Sequence, residues 1–433
     1  MHSSVKPRLK LNTPLLPIAV LLLIGLQLSV PYHGWMILLI GFGGAWLIAY
    51  LWARSLARGL RLTRELRFGW AQVGDRLEER FTLINDSWIP ALWVEIADHS
   101  TLPGHAASVA TGVDSTAENS WIVKSVCTRR GAHTLGPTTL RTGDPFGIYT
   151  VTIENPGAAN MMVMPPIVPL PRIEIAPGGR AGEGNRRADS IDRAVSVKSV
   201  RDYVPGDSLN VIHWRATAHR DSLFVRLFDS TPASDWWILL DLNQGAQIGQ
   251  GQNSTIEHGI ILAASLADRG LRAGRAVGLV AHSDALVWLP PQAGETQRWE
   301  ILRALALASP GSRSLAEMLA QLLPSFKQRT VLVIITPDAQ GDWIAQLIPL
   351  RWRGIVPTIL LFDPISFGGT PDARGAFAAL ADLEIARYVV TRAVLDRPEA
   401  HPGSRGHWDW RVTPLGRAIA RRPPRDAAWR ALT

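Results

Sequence analysis

The stretch WWILLDLNQG, residues 236–245, decides the architecture of the C-terminal half. Its first part, 236–242, reads as a nearly uniformly apolar strand, the pattern of a strand covered on both faces. Working outward, 255–269 has the pattern of a helix, and 276–281 is a second strand that turns at Ser283 and Asp284 into 285–289. Helical stretches follow at 295–307 and 315–323, then an apolar strand at 330–335, a helix at 343–351 and a strand at 357–362. Strand and helix alternate, which predicts an α/β doubly wound domain: a mostly parallel sheet between two helical layers, with one hairpin edge strand.

In such a sheet, ligands collect at the carboxyl ends of strands where the strand order reverses. The strand at 236–242 runs into Asp241, Asn243 and Gly245, and the strand at 330–335 into Thr336, Pro337 and Asp338. If the order is of the common kind, Asp241 and Asp338 face one crevice, with Asn243 or Thr336 as further oxygen donors. Paired carboxylates with neutral oxygens suit a hard cation such as Mg²⁺. The competing reading has Asp241 capping loop amides and Asp338 capping the next helix. A dinucleotide site built on Gly249 and Gly251 fits less well, because Ser254 stands where that fingerprint wants Gly or Ala and the second strand ends in His282 instead of an acid.

The chain has 433 residues, of which 47% are hydrophobic, enough for two or three domains and for a membrane segment. Residues 15–30 and 35–52 carry no charge and are separated by Pro31, Tyr32, His33 and Gly34, so they read as a transmembrane helical hairpin, about 13–31 and 34–53. A cleaved signal peptide is the weaker reading of the first span, since no small-residue cleavage site is evident and a second span follows at once. Lys6, Arg8 and Lys10 precede the hairpin, and Arg54, Arg58, Arg61, Arg64 and Arg67 follow it, while its loop has neither Lys nor Arg. The positive-inside rule then places both termini in the cytoplasm, in a cell-membrane protein whose arginine run meets anionic lipid headgroups. Nucleic-acid binding is the weaker reading of the net charge of +8.

Residues 68–175 hold short strand-like runs between turns and predict a small β-sandwich. Cys127 is the only cysteine and reads as a small hydrophobe in a strand. The linker and signature segment occupy 176–230, the α/β domain 231–396 and a basic tail 397–433. Residues 176–187, APGGRAGEGNRR, read as an exposed linker; a phosphate-binding loop lacks both its Lys-Ser/Thr ending and the strand that should lead into it. The tail reads as solvated, with one short helix at most.

Within the signature segment, 201–214 reads RDYVPGDSLNVIHW. Pro205 and Gly206 form a turn, and Asp207 is placed to cap a short helix. A catalytic reading makes His213 a base oriented by Asp207, but no nucleophile or oxyanion loop stands beside them in sequence. The favoured reading is structural: Arg201 and Asp207 form a clamp, with Tyr203 and Trp214 packed between sandwich and sheet.

The run from Arg201 to Asp207, then Ile212, His213 and Trp214, then Leu223 to Arg226, resembles the signature of the bacterial family called domain of unknown function 58. Arg129 to Gly131, Leu135 to Pro137 and Asp144 to Gly147 agree with it. The resemblance implies two N-terminal spans and a C-terminal domain similar to von Willebrand factor A domains. It also implies partnership with a MoxR-type AAA+ ATPase and a transglutaminase-like membrane protein, in assembly, maturation or metal insertion. Von Willebrand-type domains hold a metal through Asp-x-Ser-x-Ser, a Thr and a further Asp; here Asp241 matches, but Asn243 and Gly245 replace the serines. The chain therefore reads as a non-enzymatic, membrane-anchored adaptor. The alternative is a metal-dependent hydrolase using Asp241, Asp338 and His213, although no zinc-protease helix motif, nucleophile elbow or Walker A sequence occurs.

Overall fold

The computed structural model describes residues 7–66, 69–171, 173, 175, 197–202, 214, 217–218, 223–228, 235–326, 330–355, 357–395, 409–412, 418–422 and 430–431. The chain divides into two compact units, Met1–Pro169 with Pro398–Thr433, and Leu170–Arg397.

The first unit opens with strand β1 (Arg8–Leu11) and two apolar helices, α1 (Leu15–Ser29) and α2 (His33–Gly59). Of these, α2 is long and apolar enough to cross a membrane, while α1 has 15 residues. Along α2 from Met36 to Leu51 most large apolar side chains, including Ile37, Ile40, Leu47 and Ile48, are exposed. Toward its end the same helix changes character: Ala49, Ala53 and Leu56 are fully buried against the β-strands that follow.

Those strands are β2 (Leu60–Leu66), β3 (Trp70–Gln72), β4 (Arg76–Asn85), β5 (Ala91–Asp98), β6 (Val109–Val113), β7 (Ala117–Val126), β8 (Gly131–Leu135), β9 (Thr138–Gly143), β10 (Tyr149–Asn155) and β11 (Ala159–Met164). One sheet runs β1-β10-β9-β5-β6 and another contains β2-β4-β7, with β3-β11-β8 as a smaller third. Leu62, Phe81 and Leu83 from the second sheet share a core with Val94, Ile96, Leu140 and Val151 from the first. The alternation of β4, in which Leu77, Glu79, Phe81, Leu83 and Asn85 all turn inward, follows from the two-residue period of a strand with one covered face.

Two expectations are corrected here. Residues 60–66, expected as part of a basic flank, form a sandwich strand, because the sequence LRLTREL alternates and its even positions are buried. The basic tail contributes strands at Asp409–Val412, Ala418–Arg422 and Arg430–Ala431, the last pairing with β2, where at most a short helix was expected.

In the second unit, β12 (Val197–Asp202) pairs antiparallel with β13 (Phe224–Phe228). The main sheet comprises β14 (Trp236–Leu240), β15 (Val277–His282), β16 (Leu286–Gln292), β17 (Val331–Thr336), β18 (Thr358–Phe362) and β19 (Ala386–Val390), in the order β16-β15-β14-β17-β18-β19. All pairs are parallel except β15 with β16, so the hairpin edge strand stands where the sequence placed it. Numbered along the sheet's own chain order this is 3-2-1-4-5-6, a doubly wound arrangement that reverses between β14 and β17.

The connecting helices are α3 (Thr255–Arg272), α4 (Glu295–Leu307), α5 (Leu315–Leu322), α6 (Leu347–Trp352) and α7 (Arg374–Asp382). Ser254 caps α3 by accepting from the Glu257 amide, and Glu257 itself sits in the positive first turn. A Cβ at Gly270 of α3 would lie 2.8 Å from Trp236 and Val277, so only glycine lets the helix seat this close to the sheet. On the opposite face Trp237, Leu239, Ile334, Ile359 and Leu361 pack against Leu319 of α5, Leu350 of α6 and Leu380 of α7.

Candidate functional site

Because β14 and β17 are parallel neighbours, with Leu240 opposite Ile335, their carboxyl ends are side by side. Asp241 is 2% exposed. Its Oδ2 accepts the Thr336 hydroxyl at 2.7 Å and its Oδ1 the Asn243 amide at 2.9 Å. Thr336 Oγ1 in turn accepts the Asp338 amide at 3.0 Å, and Asp338 Oδ1 the Gln340 amide at 2.9 Å. The two strand ends are thus stitched by one short chain of hydrogen bonds. Asp338 turns its loop without capping a helix: the following 3-10 turn starts at Asp342, beyond Gly341.

Burial raises the Asp241 carboxyl, the hydrogen bonds from Asn243 and Thr336 offset part of that, and the charge of Asp338 raises it again, to about 6. Asn243 is turned inward on its own loop, where its Oδ1 accepts the Gly245 amide at 3.1 Å. The Asp241 loop is held from outside as well. Gln247 Nε2 donates to the Asp241 carbonyl at 3.0 Å, Thr255 donates to Gln247, and the Gly311 amide donates to the Leu242 carbonyl at 2.7 Å.

Of the signature residues, Arg201 lies in β12 opposite Val225, and Trp214 is 64% exposed. Tyr203, Gly206, Asp207 and His213 lie outside the described residues, and with them the proposed clamp and the candidate catalytic base.

A second polar cluster was not singled out in the sequence. Arg64 of β2 is buried in the sandwich, where its Nη2 pairs with Glu79 Oε2 of β4 and its Nη1 with Asp98 Oδ1 of β5, both at 2.7 Å. His105 Nε2 lies 3.1 Å from Glu79 and 3.4 Å from Asp98, and its Nδ1 meets Ser125 Oγ at 2.8 Å. The guanidinium also lies over the Phe81 ring, 4.9 Å from its centre. Two carboxylates therefore face one guanidinium and one imidazole. Burial disfavours charge on His105, but its bonds to Asp98 and Glu79 and their charges prevail and hold its pKa at about 9. Burial acts likewise against ionised Asp98, and its bonds to His105, Ser100 and Arg64 together with the Arg64 charge bring it down to about 2.

The signal was present in the alternation: Arg64 and Glu79 both occupy inward positions of their strands. Arg64 was expected at lipid headgroups and is corrected to the sandwich interior. Cys127 is fully buried, its thiol pushed up to about 12 by burial and by Asp75, in keeping with a packing role.

Among the described residues no group of three or more His, Cys, Asp and Glu side chains is placed to hold a metal ion. The donor set at the crevice fits a cation poorly. Gly245 offers no side-chain oxygen, Asn243 is spent on its own loop, and both oxygens of Asp241 are engaged.

Comparison with known proteins places part of the chain. An uncharacterized protein, YeaD, of Bacillus subtilis (strain 168) is 27% identical over 141 residues, which are 31% of this chain and 33% of the relative. The matched region thus spans about a third of that relative's length. Among solved structures, an aerotolerance-related membrane protein from Bacteroides fragilis NCTC 9343 is 21% identical, over 30% of this chain and 67% of that one, at a TM-score of 0.25. The CARDB domain of a Pyrococcus furiosus protein is 10% identical, over 24% of this chain and 90% of that one, at a TM-score of 0.18. Neither likeness is strong enough to bear on fold or function. Residues 199–367, which run from the signature segment through β18 and include the whole crevice, match the family described as protein of unknown function DUF58.

Proposed function

We propose that the chain is a membrane-anchored cytoplasmic adaptor, with α1 and α2 inserted as a hairpin and both termini on the cytoplasmic side. In this reading the second unit, similar in plan to von Willebrand factor A domains, engages a partner protein through the carboxyl-end crevice between β14 and β17. The partner class implied by the sequence resemblance is a MoxR-type AAA+ ATPase, with a transglutaminase-like membrane protein as a further member of the assembly. Recognition at the crevice works through shape and hydrogen bonding without a metal, because the oxygens a cation would need are absent or committed.

The observation that carries the anchoring is the continuity of α2. One helix has an exposed apolar surface over most of its length and a buried, small-residue end inside the sandwich core, and it passes into β2 without a linker. A membrane segment joined in this way fixes the sandwich at the bilayer surface, which suits a platform for assembly.

The test is affinity purification of the tagged full-length chain from detergent-solubilised native membranes, in Mg²⁺ and in EDTA, alongside Asp241→Ala. The expected result is an ATPase recovered in both buffers and lost or reduced with the variant. Recovery of no specific partner from either buffer would remove the adaptor reading.

A further inference from the structure

At the foot of α2 the structure holds an open cleft of about 550 Å³. Arg54, Ser55 and Arg58 line it from the helix, and Ser87, Trp88 and Thr116 from the facing loops. Arg54 and Arg58 are four apart and so share a helix face. Both are exposed, and among the described residues neither has a carboxylate partner. The Arg54 guanidinium is oriented by donating to Tyr50 Oη at 2.6 Å. Asp86, the one acid of the cleft, is engaged by Arg61 at 3.7 Å.

The opposite wall is built and held. Buried Asn85 donates to the carbonyls of Ile89 and Asp114 and accepts from the Ser87 amide and hydroxyl. The Asp86 amide donates to the Gly59 carbonyl at 2.9 Å, and a Cβ at Gly59 would stand 2.6 Å from the Ser87 nitrogen. The loop and the helix end are therefore locked together before any ligand arrives.

The depth of this cleft follows from helix geometry. From Trp35, which packs edge-on with Tyr32 at the start of α2, to Arg54 the helix rises ~29 Å at 1.5 Å per residue. The sandwich meets this helix from Trp46 on, where Nε1 donates to Tyr149 Oη at 2.7 Å, so Arg54, about two turns further, lies past the apolar span on the side of the sandwich. Two aromatic side chains of the sandwich stand in solvent: Trp88 is 74% exposed and Phe146 59%. Phe146 adjoins the start of α1, because Asn12, just before that helix, donates to the carbonyl of Gly147. Aromatic residues standing out beside emerging apolar helices are the pattern of an interfacial belt.

We propose that the cleft binds the phosphodiester headgroup of an anionic phospholipid. Arg54 and Arg58 hold the phosphate oxygens, the Ser55 hydroxyl adds a neutral donor, and Trp88 seats in the headgroup layer beside them. The proposal rests on the anchoring read above, and it adds a defined lipid site where a spread of basic charge alone would give only diffuse attraction.

The test uses the full chain in neutral detergent micelles, titrated with phosphatidylglycerol, with phosphatidylcholine and with glycerol phosphate, and followed by thermal melting. Phosphatidylglycerol is expected to raise the melting temperature at concentrations where the other two do not. The Arg54→Gln/Arg58→Gln variant should need roughly tenfold more of it or more, while Arg76→Gln, exposed on β4, responds as wild type. An equal response to phosphatidylcholine, or an unchanged response in the double variant, overturns the site. A response to glycerol phosphate at the same concentration makes it a site for free phosphate esters and overturns the lipid assignment. Carbonate washing of native membranes separates the two readings. Wild type released by the wash defeats the anchoring, whereas wild type retained without a phosphatidylglycerol response defeats the cleft alone.

Discussion

Replacing Asp241 by Asn separates a buried carboxylate that costs stability from one that holds a cation. The structure places this side chain at 2% exposure with a pKa of about 6, against an ordinary 3.8. A carboxyl whose folded pKa lies above its unfolded value favours the fold when protonated, and that advantage is lost as pH rises from about 4 through about 6. The difference corresponds to about 3 kcal/mol at pH 8. An Asn keeps the acceptor for the Asn243 amide, but its amide group meets Thr336 Oγ1, which already accepts from Asp338, at a cost of about 1 kcal/mol. Asp241→Asn is therefore expected to stabilise the second unit by about 2 kcal/mol at pH 8, a gain that shrinks to about 0.5 kcal/mol at pH 5. The measurement is hydrogen exchange at the amides of β14 and β17 in the full chain, at both pH values, with and without Mg²⁺. Loss of protection in the variant at pH 8, or protection of wild type by Mg²⁺ that the variant lacks, would show an ionised, ligating Asp241 and refute the argument.

Three further outcomes are expected. Arg64→Ala leaves Glu79 and Asp98 buried without their guanidinium and should destabilise the sandwich by about 3 to 5 kcal/mol in denaturant titration, with part of the loss recovered in Arg64→Met/Glu79→Met. His105, held at about 9 in the fold, contributes stability that is complete below about pH 6.5 and lost as pH rises through 9; His105→Gln should flatten the wild-type decline in sandwich melting temperature across that window. A reporter fused after Arg67 should be cytoplasmic in a topology assay, and a signal from the other side would reverse the anchoring.

Much of the second unit is legible along the chain because β14, β15, β17 and β18 are apolar on both faces and, β15 excepted, each is followed by a helix. This pattern requires no knowledge of distant partners, and it located β14, β15, β17 and β18 within a residue or two. Its last pair, α7 and β19, carries Arg374, Arg387 and Tyr388 among its apolar residues and gives a weaker signal. The sandwich is less legible, since its strands are short and one face of each is polar. Here β2 was hidden, because a run with two arginines directly after an apolar helix has the composition of a membrane flank.

The sequence by itself determined the alternation that makes the sheet, the acids at the ends of two of its strands and the apolar length of α2. All of these are local properties, set by side-chain periodicity and hydropathy. Only the tertiary structure decided that β14 and β17 are neighbours, so that Asp241 and Asp338 act on one another, and that Arg64 leaves the basic run to meet Glu79, Asp98 and His105. The same holds for the cleft beneath α2, whose walls come from a helix end and loops 28 or more residues further on. Charges separated in sequence acquire their energies only when folding sets the distance and the dielectric between them.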